Sequence, residues 1–110
     1  MIQAIKLNTS ETSLKGKYSV VDTDIVIIHC DATNGAFTVY LPDSGDNRFI
    51  MFLFIKTDSS SNVVTIATVN NQTLNGHQYF SSNSLLEKQY VGKWYLPNSD
   101  KTGWLKITEV

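Results

Sequence analysis

The chain has one cysteine, two prolines, two histidines and three glutamates among 110 residues, and no apolar run longer than seven. Each scarcity excludes something. A single thiol, Cys30, forms no internal disulfide and no multi-cysteine metal site. Seven apolar residues fall far short of the roughly 20 that a membrane-spanning helix needs. Charged residues make up 17% of the chain, against about 25% in an average domain. The nine lysines and arginines are scattered, so nothing resembles the clustered cations that grip a phosphate backbone, and nucleic acid is not an expected partner. With only Glu11, Glu87 and Glu109, and with the aspartates mostly in turns, no carboxylate pair of the glycosidase kind stands out. No serine occupies a Gly-x-Ser-x-Gly setting, and no glycine loop cradles phosphate. Met1–Lys6 lacks the charged start and apolar core of a signal peptide. Neither an enzyme nor a cofactor is expected.

What is present is β-forming sequence. Phe49-Ile50-Met51-Phe52-Leu53-Phe54-Ile55 has strand length and is apolar on both faces, with Ile50, Phe52 and Phe54 on one and Met51, Leu53 and Ile55 on the other. Parallel strands of this kind are usually covered by helices, and no helical periodicity exists to supply them. One face therefore belongs to the domain core, and the other must meet a second layer or another subunit. Further strands are expected at Lys17–Val21, Ile25–Cys30, Phe37–Leu41, Val63–Val69, Leu85–Tyr90, Lys93–Leu96 and Trp104–Ile107. Asn34-Gly35 reads as a hairpin turn, and Pro42 and Pro97 end their strands. Ser84-Leu85-Leu86-Glu87 has capping-box spacing, but no helical pattern follows it. Short strands at even spacing predict an all-β, antiparallel β-sandwich of jelly-roll-like form. No repeat of similar segments is evident, which argues against a solenoid. The expected organisation is an N-terminal arm or edge strand over residues 1–16 and a single sandwich domain over 17–110.

Few residues invite a chemical role. Cys30, inside an apolar strand, reads as a small buried hydrophobe. His29 and His77 have no second ligand at metal-binding spacing. Asp22-Thr23-Asp24 and Asp43-Ser44-Gly45-Asp46 are oxygen-rich, as calcium loops are, but match ordinary turn chemistry better. The aromatics of the C-terminal third are the candidate ligand contacts: Tyr79, Trp94, Tyr95 and Trp104. Trp94 and Tyr95 are adjacent, so on a strand one of them faces away from the core. A stand-alone carbohydrate-binding module is one reading of these rings.

Several segments, in order, resemble small β modules of tailed-phage fibres, head fibres and receptor-binding proteins. They are Asp31-Ala32-Thr33-Asn34-Gly35, Phe37–Pro42, the run Lys56-x-Asp58-x-Ser60-x-Asn62-x-Val64-x-Ile66, Thr73-Leu74-Asn75-Gly76, and Ser99-Asp100…Gly103-Trp104-Leu105-Lys106-Ile107. The chain departs from the pattern in carrying Asn75-Gly76 in place of Asp-Gly, and in Lys101-Thr102, which interrupts the final Asp-Gly-Trp. The resemblance implies a non-enzymatic virion surface component, made in the host cytoplasm, that assembles as a homotrimer with other virion proteins and contacts the host surface, with a surface glycan as one partner. It supplies a subunit for the uncovered strand face, making Met51, Leu53 and Ile55 the expected oligomer interface.

Overall fold

In a computed structural model that describes residues 1–45, 49–75, 77–78 and 84–108, the chain folds into two facing sheets with no helix among those residues. The strands are β1 (Ile2–Asn8), β2 (Ile25–Asp31), β3 (Phe37–Tyr40), β4 (Met51–Lys56), β5 (Val64–Ala67), β6 (Thr73–Leu74), β7 (His77–Gln78), β8 (Ser84–Leu86), β9 (Gly92–Pro97) and β10 (Gly103–Thr108). The large sheet has the order β1-β2-β4-β9-β10-β6-β7, and the small sheet β3-β5-β8.

The all-β expectation holds, but the antiparallel jelly-roll-like sandwich does not. β1 pairs with β2, β2 with β4, and β3 with β5, all in parallel. Parallel neighbours cannot be joined by a tight hairpin. The chain instead runs from β2 in the large sheet round a corner to β3 in the small one, returns, and repeats the circuit as β4 and β5. Ile25 stacks on Met51 and Phe37 on Val64, offsets of 26 and 27 residues. These are successive coils of a short β-solenoid. The later strands close it antiparallel, β8 on β5, β9 on β4 and β10 on β9. The solenoid escapes a search for similar segments because its coils share inward and outward parity rather than residue identity. Cys30 stacks on Lys56, for example, and Phe37 on Val64, all four of them buried.

The same geometry corrects the local expectations. Asn34-Gly35 is not a hairpin turn, since the strands it joins lie in different sheets. Gly35, with φ of +145°, turns the corner instead. Lys17–Val21 forms turns rather than a strand. Strand β8 stops at Leu86, well short of Tyr90, and Tyr90 itself sits at positive φ. Phe49 is exposed and precedes β4. Within residues 1–16, β1 takes the edge-strand form of the expectation, at the edge of the large sheet, and Leu7 and Leu14 are buried in the core.

The core fills the space between the sheets. Val26, Ile28 and Cys30 of β2, Phe52 and Phe54 of β4, Tyr95 of β9 and Trp104 of β10 face Phe37, Val39, Val64, Ile66 and Leu86 of the small sheet. Its rings meet edge to face: Phe52 with Tyr18 at 5.4 Å, Phe52 with Trp104 at 5.5 Å, and Phe54 with Tyr95 at 5.4 Å. The Trp104 indole N–H donates to the Pro42 carbonyl at 3.1 Å, so the largest core side chain leaves no buried donor unmade.

Candidate functional site

Along β4, Phe52, Phe54 and Lys56 point inward and are fully buried, whereas Met51, Leu53 and Ile55 point outward and are only half-buried. Parity fixes this, because successive strand residues alternate faces. The register then aligns the outward residues of neighbouring strands into rows. Ile2, Ile25 and Met51 form one row, continued beyond the paired part of β4 and β9 by Leu96 and Leu105. Ala4, Ile27, Leu53, Trp94 and Ile107 form the second. Lys6, His29, Ile55 and Gly92 form the third. Gly92 leaves room for its neighbours: a Cβ there would lie 3.1 Å from Leu53 Cδ1 and 3.6 Å from Ile55 Cγ1.

The outcome is an apolar face across five strands that no described element of the chain covers. Ile2 is 61% exposed, Ile107 51% and Leu105 41%. Five strands spaced about 4.8 Å apart, over about 17 Å of strand length, give roughly 400 Å² of flat sheet. Patches of this size on soluble proteins are commonly interaction sites. At one margin the face turns polar, where Lys6, Asn8, His29, Asp31 and Thr57 line a cleft of about 320 Å³. Hydrogen bonds from the Thr33 hydroxyl and amide hold the Asp31 carboxyl below its usual range.

The run Lys56-x-Asp58-x-Ser60-x-Asn62 is not part of this face. It builds the corner between β4 and β5. The Lys56 side chain is fully buried and that of Asp58 is 7% exposed, with Nζ 2.9 Å from Oδ2. Nζ also donates to the carbonyls of Ser60 at 2.7 Å and Asp58 at 3.1 Å. Asp58 Oδ1 accepts the Ala32 amide at 2.7 Å, and Oδ2 accepts the Ser60 amide at 3.0 Å and the Ser60 hydroxyl. Asn62 Nδ2 donates to the Ala32 carbonyl at 2.8 Å. One corner is thereby tied to the corner of the preceding coil. Burial pushes the Asp58 carboxyl up, but donors from Ser60, Ala32 and Lys56 outweigh it and hold the group well below the carboxylate range. Burial, with the Asp58 charge adding to it, pushes the Cys30 thiol up to about 12.

The candidate ligand aromatics separate. Tyr95 and Trp104 are fully buried core residues and present no ring to a ligand, because their parity faces the small sheet. Trp94 lies on the outer face beside Leu53. Tyr79 falls outside the described residues. A second, more apolar cleft of about 360 Å³ opens elsewhere between the Ser13–Tyr18 turn and Tyr40, Leu41, Pro42 and Val69; no sequence motif pointed to it. Among the described residues no cluster of three His, Cys, Asp or Glu side chains could hold a metal ion. Asp24 sits 2.6 Å from the Met1 amino group, and Asp43 accepts hydrogen bonds from Gly45, Asn70 and Gln72, so the acidic turns are engaged in turn structure.

Comparison of the chain with protein-family models, with curated proteins and with solved structures finds no match.

Proposed function

We propose that the chain is a non-enzymatic structural module that associates with copies of itself through the outer face of its large sheet. The observation that carries this reading is the set of apolar rows running across β1, β2, β4, β9 and β10, with Lys6 at the margin as the one formally charged side chain in them. Covering such a face with a second copy removes apolar surface from water, and closed symmetric oligomers are the usual way to do so.

The narrower reading is a homotrimeric component of a tailed-phage virion surface, in a head, neck or tail fibre, that contacts the host. Its support is the resemblance of those segments, in their order along the chain, to fibre modules. The corner run Lys56–Ile66 is the most extended of these segments, and every second residue in it has a defined place in the fold. Static light scattering tests the association: a trimer supports the reading, and a monomer at micromolar concentration overturns it. Detection of the protein on purified particles tests the virion assignment.

A further inference from the structure

Among the described residues the two sheets have four edges, and three are short: β7 has two residues, β8 three and β3 four. The fourth, β1, has seven, contains no proline, and carries a single charge, Lys6. One side pairs with β2 along the whole length; on the other, Asn8 exchanges both backbone hydrogen bonds with Glu11, so the edge left open among the described residues runs from Ile2 to Lys6. Soluble proteins blunt such edges with short strands, bulges, prolines or several charges, because an open ladder is a template for another strand. Here the defence is one lysine and the Asn8–Glu11 turn that closes the C-terminal end.

We infer that the free edge of β1 pairs with β1 of a second copy, antiparallel about a two-fold axis, joining two large sheets into one. Two features choose this occupant. A two-fold axis normal to the sheet keeps both outer faces on the same side, so the Ile2 and Ala4 rows run on into the second chain and the apolar face doubles in width. Antiparallel pairing also separates the two Lys6 charges and carries each toward the Ile2 end of the other copy, where Asp24 and the Met1 ammonium form an exposed ion pair. Parallel pairing in register would set lysine against lysine, which is unfavourable for directly opposed residues. An overlap over the open stretch from Ile2 to Lys6 centres on Ala4 and sets Ile2 opposite Lys6; moving the axis to Ile5 sets Ala4 opposite Lys6. This contact uses backbone groups and is separate from the apolar-face association proposed above.

Cysteine cross-linking tests it. Ala4→Cys, Lys6→Cys and an equimolar mixture of the two are oxidised mildly, with Glu87→Cys, exposed and remote from β1, as control. Opposed residues in a ladder have Cβ atoms about 4.5–5.5 Å apart, within disulfide reach after small adjustment. The native Cys30 is buried and takes no part. The expected result is a disulfide-linked dimer at least tenfold above control, from Ala4→Cys alone if the axis passes Ala4, or from the mixture if it passes Ile5; a dimer from Lys6→Cys alone overturns the pairing, because it sets lysine against lysine. The dimer persists when Leu53→Glu is added to disrupt the apolar face, which separates this contact from that one. In the unmodified protein, β1 amides should exchange more slowly as concentration rises. Control-level cross-linking in all three samples, or β1 exchange independent of concentration, overturns the inference.

Discussion

Removing the Asp58 carboxylate should destabilise the fold more than almost any other change at a polar position. Asp58→Ala deletes the acceptor of the Ala32 amide, the Ser60 amide and the Ser60 hydroxyl, and strips the counter-ion from a lysine that is fully buried. Lys56 keeps only carbonyl partners and the Ser60 hydroxyl. Breaking a buried ion pair from one side costs about 3–5 kcal/mol, because the remaining charge is left uncompensated. That is a large share of the roughly 5–15 kcal/mol that holds a domain together. The double variant Lys56→Met, Asp58→Ala should recover part of the loss, giving a coupling of about 1–3 kcal/mol in a double-mutant cycle. Acid should act in the same direction. The folded-state carboxyl titrates below its unfolded value of about 3.9. Its contribution is therefore fully present above about pH 4 and is lost as pH falls from there toward the folded value. Denaturant midpoints at fixed protein concentration, from pH 7 to pH 2, read both effects. A wild-type midpoint in Asp58→Ala, or equal acid sensitivity in the double variant and the wild type, would refute the reasoning.

Cys30, buried with its thiol pushed up to about 12, should not react with a disulfide reagent at pH 8 in the folded protein and should react fully in denaturant; stopped-flow absorbance reads both. Trp104→Ala should cost about 3–5 kcal/mol, as a core truncation that also leaves the Pro42 carbonyl without its donor, whereas Trp94→Ala should change the unfolding free energy of the monomer by under about 1.5 kcal/mol and weaken association instead. Gly103→Ala should cost about 1–3 kcal/mol or displace β10 from β6, because a Cβ at 103 would sit 2.8 Å from the Thr73 amide nitrogen; thermal unfolding followed by circular dichroism measures it.

Strand composition and parity were legible in the chain. The run from Phe49 to Ile55 declared a strand apolar on both faces, and the structure turns Phe52 and Phe54 in and leaves Met51, Leu53 and Ile55 out. Which strands neighbour one another was not legible. Asn34-Gly35 carries the chemistry of a hairpin, yet the same positive-φ tolerance serves a corner between sheets, and only the partners of β2 and β3 distinguish the two. The rows of the outer face depend on that parallel register, so Ile25 and Ile27 of β2 and Leu105 and Ile107 of β10 were not foreseen as companions of Leu53. The aromatics failed for a related reason: Trp94 and Tyr95 were known to face opposite ways, but only the position of the small sheet decides which is buried. The polar run from Lys56 to Asn62 looked like a surface turn, because a lysine two residues from an aspartate gives no sign in sequence that its ammonium group is buried.

The outer face is tested most directly by sedimentation equilibrium on the wild-type chain and on Leu53→Glu, which places a carboxylate at the centre of the second apolar row without touching the core. A 12.3 kDa chain that associates as proposed should give an oligomer, about 37 kDa if trimeric, and the variant should shift to a lower mass, that of the monomer or of the β1-paired dimer, while keeping its β-sheet spectrum. A wild-type protein that stays at 12.3 kDa across the micromolar range, or a variant that associates as strongly as the wild type, would contradict the assignment of this face.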